Sequence, residues 1–169
     1  MQTLATERLS LRPFTLDDAP FILEQLNEPS FIQNIGDRNV RTLEDARAYL
    51  TNGPLTGYAK NGFGLCLVTL KETGETIGMC GLLKREALED VDIGYAFLPR
   101  FWSKGYGVEA AQAVKRFAKE TLGLKRLVAI VDPVNTGSIR VLEKIGMRCE
   151  KIVKLSTDDI DLKLFAIDL

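Results

Sequence analysis

The segment Trp102–Ala111 (WSKGYGVEAA) places two glycines and a lysine just before a helical pattern. Glycines one residue apart allow a tight turn, and the start of a helix leaves several backbone N–H groups without partners. The helix dipole adds partial positive charge there, which favours a bound anion. A glycine lets a phosphate approach the backbone, because it has no Cβ atom. The segment therefore predicts a site for a phosphorylated small molecule, with a plain helix-starting turn as the alternative.

The sequence contains no histidine among its 169 residues. This excludes Ser-His-Asp and Cys-His nucleophilic machinery, and also the common histidine metal sites. Cys66, Cys80 and Cys149 lie far apart and lack metal-ligand spacing, so we expect small buried apolar residues and no metal. Any general base must therefore be a carboxylate, a tyrosine, a lysine, a cysteine or a water chain.

Charge and hydropathy limit the partners of the chain. The formal net charge is −1, from 22 basic and 23 acidic residues, whereas a general nucleic-acid binder usually carries a basic excess. No apolar run reaches the roughly 18 residues of a membrane span. The N-terminus lacks the basic-then-apolar order of a signal peptide. We expect a cytoplasmic monomer or homodimer without nucleic-acid or membrane partners.

The pattern along the chain predicts a single α+β domain over residues 1–169. Thr15 with Asp18, and Thr42 with Asp45, are variant capping boxes that begin two helices after a first strand. Three antiparallel strands, a helix, a strand, a second helix and two strands follow. We expect a mixed, mostly antiparallel twisted sheet of about seven strands flanked by about four helices.

A dinucleotide-binding interpretation fits Gly105–Ala110 locally, because the pattern is Gly-x-Gly-x-x-Ala and Asp132 ends the next strand. Residues 99–104, however, separate the first glycine from the preceding strand, and no doubly wound βαβ series surrounds it. A P-loop is absent, since no Gly-Lys-Ser/Thr follows a long glycine loop. A nicotinamide-dependent oxidoreductase stays as an alternative.

Three segments, Ile93–Tyr95, Trp102–Ala110 and Asn135–Met147, resemble the GNAT superfamily of N-acetyltransferases in sequence and in order. The opening segment Thr6–Pro13, with the acidic pair at 17–18, is similar to the RimJ/RimL-like branch, which includes acetyltransferases of ribosomal-protein N-termini. The resemblance covers nearly the whole chain. It implies acetyl-CoA as the acyl donor and an amine as the acceptor.

The resemblance also implies a donor site. The CoA pyrophosphate would bind backbone N–H groups of a glycine loop formed by Ser103, Lys104, Gly105, Tyr106, Gly107 and Val108. The pantetheine arm would lie where strands Val91–Leu98 and Leu127–Val131 splay apart. Backbone groups of Phe97 and Leu98 would pair with this arm and help polarise the thioester carbonyl. Asn135 would bond the arm while capping the following helix.

The sequence departs from the family pattern at the general acid. Many relatives carry a tyrosine where this chain has Leu142, and Ser138, one helical turn earlier, is the nearest hydroxyl for the departing sulfur. The thiolate could also leave unassisted, since a thiol has a pKa of about 8.5. The departure at Leu142 keeps a non-catalytic acyl-CoA-binding module open as an alternative. Trp102 replaces the usual Gln or Arg, a change common in the Rim-like branch.

The candidate general bases are carboxylates at the start of the predicted fourth strand, acting through water, and Glu28 in the loop after the first helix. Asp92 is our catalytic assignment, with Glu89, Asp90 and Glu28 as alternatives, whereas Tyr95 is expected to be a packing residue whose hydroxyl could face the cleft.

The sequence predicts the chemical class of the acceptor less precisely than that of the acyl donor. An α-amino group, with a pKa of about 8, needs less base assistance than a lysine at about 10.4, which suits a chain without histidine. The resemblance to the RimJ/RimL-like branch implies a protein N-terminus as the favoured acceptor. A small metabolite amine, a polyamine and an aminoglycoside stay open. Residues 31–40, 52–62 and 156–161 are expected to rim the acceptor site, the first two as irregular segments.

Overall fold

The computed structural model describes residues 1–157 and 159–169, and one sheet runs through the molecule. Within these residues the sheet has eight strands: β1 Leu4–Ala5, β2 Leu9–Pro13, β3 Leu65–Leu70, β4 Thr76–Leu83, β5 Asp92–Phe97, β6 Arg126–Val131, β7 Arg148–Val153 and β8 Leu162–Asp168. Their spatial order is β1-β2-β3-β4-β5-β6-β8-β7. Every neighbouring pair is antiparallel except β5 and β6.

Helices cover both faces of the sheet. The described residues form six α-helices: α1 Ala19–Leu26, α2 Pro29–Asn34, α3 Leu43–Leu50, α4 Thr56–Asn61, α5 Tyr106–Glu120 and α6 Thr136–Lys144. One buried cluster joins α5 and α6 to the sheet, and a second cluster joins α1 and α3 to it. The predicted mostly antiparallel α+β fold is confirmed, with β1 added at the edge and two short helices more than expected.

Both predicted capping boxes are present. The Thr15 side chain accepts from the backbone in the first turn and Asp18 bonds back to Thr15, which begins a 3-10 turn that leads into α1. Thr42 and Asp45 make the same reciprocal pair at the start of α3. Such boxes satisfy N–H groups that a helix start otherwise leaves unpaired, so they fix both helix starts from local sequence.

Two segments that were expected to be irregular contain helices instead. Pro29 occupies the first position of α2, where its fixed φ suits a helix and its missing N–H costs nothing. Residues 51–55 form a π-helical turn around Pro54 that leads directly into α4. Gly62, at φ 78°, ends α4 in the left-handed conformation. Pro and Gly therefore mark helix boundaries here, and the predicted loop at 52–62 is wrong.

Two further expectations concern cysteines and the last loop. Cys66 and Cys80 are buried as expected, and burial raises the pKa of the Cys66 thiol to about 12. Cys149 is exposed on β7, which corrects the expectation that it is buried. Of the predicted rim 156–161, Asp158 lies outside the described residues. Among the helices that are described, none is both long enough and apolar enough to cross a membrane.

Candidate active site

The two parallel strands at the centre of the sheet part from each other. β5 and β6 share one paired position, Asp92 with Val128, and the Val128 N–H donates to the Val91 carbonyl at 3.1 Å. Beyond that point β5 continues to pair with β4 and β6 continues to pair with β8. The strands therefore enclose an open wedge that starts at Asp92, which we call the β5–β6 cleft.

Backbone groups of β5 line this cleft on alternate residues. The Leu98 N–H donates to the Ile77 carbonyl of β4 at 2.9 Å, and the Leu98 carbonyl accepts from Phe101 at 2.9 Å. Because an antiparallel strand alternates the direction of its hydrogen bonds, Phe97 and Tyr95 turn their backbone groups towards the cleft. We therefore correct the expectation that Leu98 groups face a ligand.

The Phe97 carbonyl is already engaged, since the Trp102 indole N–H donates to it at 2.8 Å. The Phe97 N–H faces the cleft without a strand partner among the described residues. The same bond ties Trp102, the residue just before the glycine loop, to the end of β5.

The glycine loop turns sharply into α5. Ser103 and Gly105 have positive φ angles of 61° and 83°, and Gly105 is the N-cap residue of α5. The Glu109 N–H donates to the Gly105 carbonyl at 3.1 Å, so the N–H groups of residues 106–108 precede the first bond of the helix. Among the described residues, no side chain caps this end. The loop thus presents open amides beside a helix dipole, as an anion site requires.

The two glycines of this loop have different reasons to be glycine. Gly105 needs its left-handed φ, and a Cβ atom there would lie 3.2 Å from Nη2 of Arg8. At Gly107 a Cβ atom would lie 3.5 Å from Val141 Cγ2 and 3.7 Å from Phe97 Cε2, which are ordinary contacts. The protein's own packing therefore does not require glycine at position 107.

The N-terminus of α6 carries Asn135 and Ser138, and Ser138 contacts Tyr95 of β5. The Asn135 Oδ1 atom accepts from the Ser138 N–H at 3.2 Å as the helix cap. The Asn135 amide N–H₂ donates to no other residue that the structure describes. Asn135 can therefore cap α6 and donate to a ligand at the same time.

Tyr95 reaches from β5 to the same helix start. Its Oη atom lies 2.9 Å from Ser138 Oγ and 3.0 Å from the Ser138 carbonyl oxygen, which it can reach as donor. Burial raises the pKa of Tyr95, so it stays a neutral hydrogen-bond donor. Tyr95 is thus more than the packing residue that the sequence suggested. Leu142 is 1% exposed and belongs to the core.

Asp92 lies at the base of the cleft and is 1% exposed. Burial raises the pKa of its carboxyl, and the Arg85 Nε atom, 3.2 Å from both carboxylate oxygens, acts in the opposite direction. Of the alternative bases, Asp90 pairs with Arg126 at 3.1 Å and Glu89 is exposed, whereas Glu28 precedes α2. Arg85 was missed from the sequence, because no local pattern marks a loop arginine as the partner of a strand carboxylate.

A cavity of about 420 Å³ is lined by Arg85, the partner of Asp92, although Asp92 itself does not line it. Its walls are the turn and helix at residues 52–61, with Phe63, and the end of β4 with its following loop at residues 82–86. Arg85 joins the two features, because it lines the cavity and bonds Asp92. The expected rim at 52–62 thus does line a cavity, but residues 31–40 and the described residues of 156–161 do not.

A comparison with known families matches residues 8–148 to the family described as "Acetyltransferase (GNAT) domain". This chain belongs to the GNAT acetyltransferase family. The "Uncharacterized N-acetyltransferase p20" of Bacillus licheniformis is 31% identical over 158 residues, which are 91% of this chain and 86% of that protein. The chain is therefore a member of a family of acyltransferases, which resolves the choice against a nicotinamide oxidoreductase.

Solved acetyltransferases share the fold along almost the whole chain. An acetyltransferase from Agrobacterium tumefaciens str. C58 has a TM-score of 0.84 at 29% identity, covering 99% of this chain and 94% of its own. The ribosomal L7/L12 alpha-N-protein acetyltransferase RimL, in complex with coenzyme A, has a TM-score of 0.86 at 17% identity, covering 99% and 98%. At that identity the likeness to RimL shows the common fold.

Proposed function

We propose that residues 1–169 form one acetyltransferase domain that transfers the acetyl group of acetyl-CoA directly to an amine, with a protein N-terminal α-amine as the favoured acceptor. The observation that carries the proposal is the β5–β6 cleft, whose wide end at Phe97 is tied to the start of the glycine loop by the hydrogen bond from Trp102. Acetyl-CoA would supply an activated thioester. The residues of the chain supply the binding, the orientation and the proton transfers.

The open amides of residues 103–108 and the dipole of α5 fit a diphosphate, and the cleft fits an extended arm. The Phe97 N–H and the Asn135 side-chain amide would donate to groups along that arm. The Tyr95 backbone, which also turns towards the cleft, takes the place that we first assigned to Leu98. An oriented N–H of this kind stabilises the negative charge that develops on a carbonyl oxygen under attack.

Asp92 would act as the general base, in keeping with its position where the strands part. The incoming amine must lose a proton as its nitrogen bonds to the thioester carbon, and a buried carboxylate with a raised pKa is suited to accept it. Arg85 holds the carboxylate in place and lines the cavity from which the amine would enter. We therefore assign this cavity to the acceptor.

Ser138 would assist the sulfur when the carbon–sulfur bond breaks. The single hydroxyl proton of Tyr95 can go either to the Ser138 carbonyl oxygen or to Ser138 Oγ. When it goes to Oγ instead of the carbonyl, the Ser138 hydroxyl proton is left to hydrogen-bond the departing thiolate. Tyr95 acts here through Ser138 and is a positioning residue. A thiolate with a pKa of about 8.5 needs only this hydrogen bond and no full proton transfer from tyrosine.

The assignment is tested by measuring CoA release from acetyl-CoA with four amine classes: a peptide with a free N-terminus, a metabolite amine, a polyamine and an aminoglycoside. We expect the peptide to give the highest kcat/KM. A peptide with a blocked N-terminus and one internal lysine is the matched control and should react poorly. A higher rate with another class would overturn the acceptor assignment. CoA binding without turnover of any of the four amine classes would instead support an acyl-CoA-binding module.

A further inference from the structure

Arg8 connects the N-terminal motif Thr6–Pro13 to the glycine loop, and nothing above gives this residue a role. Its Nε atom donates to Glu109 Oε1 at 2.7 Å, and its Nη1 atom donates to the Lys104 carbonyl at 3.0 Å. Its guanidinium carbon lies 4.5 Å from the centre of the Tyr106 ring. A residue at the start of the chain is thus fixed against both the loop and the first turn of α5.

Glu109 explains why an arginine is needed at this place. Its carboxylate accepts from the Thr6 hydroxyl at 2.5 Å and from the Arg8 backbone N–H at 2.9 Å, besides the guanidinium. Although burial alone would raise the pKa of Glu109, the hydrogen bonds from Thr6 and Arg8 lower it overall, so the group is ionised. A negative charge in the first turn stabilises a helix but repels a phosphate bound there. Arg8 offsets that charge.

The Nη2 atom of Arg8 is left over as a donor. Among the residues that the structure describes, Nη2 has no hydrogen-bond partner, and it lies 3.2 Å from the point that a Cβ atom on Gly105 would occupy. The Arg8 side chain is 44% exposed, and Gly105 is exposed as well. The free N–H group is therefore beside the open amides of the loop.

We propose that Arg8 is a binding residue for the diphosphate of CoA: Nη2 donates to a phosphate oxygen while Nε and Nη1 hold Glu109 and Lys104. The proposal rests on the proposed function, because it needs a diphosphate at the glycine loop. An ordinary surface ion pair would contribute little to stability or binding. Arg8 differs from such a pair. Its planar guanidinium donates to the Glu109 carboxylate and to the Lys104 carbonyl, and it still has the Nη2 atom available for a phosphate.

The experiment compares two donors, acetyl-CoA and S-acetylpantetheine, which lacks the diphosphate. The readout is the ratio of their kcat/KM values. In Arg8→Ala we expect the ratio to fall about tenfold, because one charge-assisted hydrogen bond is lost and Glu109 is left unpaired. Arg8→Lys should give an intermediate ratio, since an ammonium cannot reproduce the fork. The double variant Arg8→Ala/Glu109→Gln should recover part of the loss.

Arg12→Ala is the matched control. Arg12 lies on β2, the strand that begins directly after Arg8, is 40% exposed and pairs with Asp18 at 2.8 Å. It should keep the wild-type ratio. If less of the Arg8→Ala variant is folded, the rates with acetyl-CoA and with S-acetylpantetheine fall by the same factor, so their ratio does not change. Thermal melting measures the stability of the variant separately.

The outcomes separate the two proposals. A wild-type ratio in Arg8→Ala, or the same fall in Arg12→Ala, would overturn the role of Arg8 even when Gly107→Asp lowers the ratio. An unchanged ratio in Gly107→Asp would overturn the glycine loop as the diphosphate site, and the proposal for Arg8 with it.

Discussion

The donor and acceptor sides of the cleft are built in different ways. The donor side uses backbone N–H groups, set by the φ angles of Ser103 and Gly105 and by the parting of two strands. The acceptor cavity uses side chains from a π-helical turn, a short helix and the loop after β4. Backbone N–H groups do not depend on the side chain, so relatives that bind the same donor can use the same groups. Side chains vary freely, so the cavity is where this chain would select its amine.

The largest expected effect breaks the donor side. Gly107→Asp would place bulk and negative charge at the one surface of the loop where the protein's packing does not require glycine. Repulsion of a diphosphate should lower kcat/KM for acetyl-CoA by about a hundredfold or more. Isothermal titration of CoA measures the affinity directly.

Gly107→Ala is the graded control for that variant, since an alanine Cβ makes only ordinary contacts with Val141 and Phe97. It should retain the fold and lose less affinity than the aspartate. Unaltered CoA affinity in Gly107→Asp would contradict the donor site.

The second prediction concerns Asp92, where the two sides meet. Asp92→Asn should lower kcat about a hundredfold, the usual scale for a general base. Burial raises the pKa of Asp92, so the part of the low-pH fall in kcat/KM that is due to Asp92 should set in at a higher pH than for an ordinary carboxyl. Below that pKa, log kcat/KM should fall with a slope of about two, because both the amine and Asp92 become protonated.

In Asp92→Asn the slope at low pH should drop to about one, since only the amine still titrates. A pH–rate profile over several buffers distinguishes the two cases. A variant with wild-type slope and rate would remove Asp92 from the mechanism and reopen Glu28 and Glu89.

A smaller effect is expected from the hydroxyl pair on the donor side. Ser138→Ala and Tyr95→Phe should each lower kcat about three- to tenfold, the scale of one neutral hydrogen bond, with little change in KM for acetyl-CoA. The double variant should cost little more than Ser138→Ala, because Tyr95 acts through Ser138. If the losses in kcat of the two single variants instead add up in the double variant, Tyr95 has a role that does not act through Ser138.

The smallest effect tests the support of the acceptor side. Thr42→Ala removes the capping box of α3, the helix that leads through residues 51–55 into the cavity wall. We expect a loss of about 1 kcal/mol in the free energy of unfolding, measured by urea denaturation. Acetyl-CoA binding should stay near wild type, since α3 packs on the face opposite α5. A large loss of CoA affinity would show that the two sides are coupled.

The local structure of the glycine loop and of the start of α6 could be predicted from the sequence because its signals are local. A glycine pair before a helix and an N-cap asparagine each depend on residues within a single turn, as do the two capping boxes before α1 and α3. The segment 51–61 could not be predicted, because Gly, Pro and Asn indicate a loop by composition, and only packing makes them a π-helical turn and a helix.

By itself the sequence determined the order of the main elements, the glycine loop and the absence of histidine chemistry. The tertiary structure alone decided which distant groups meet: Arg85 with Asp92, Tyr95 with Ser138, and Arg8 with Glu109. Backbone turns and helix caps follow from short-range sterics and hydrogen bonds between neighbours in the chain. Contacts between strands and helices depend on how the sheet twists and where its strands part, which no local pattern encodes.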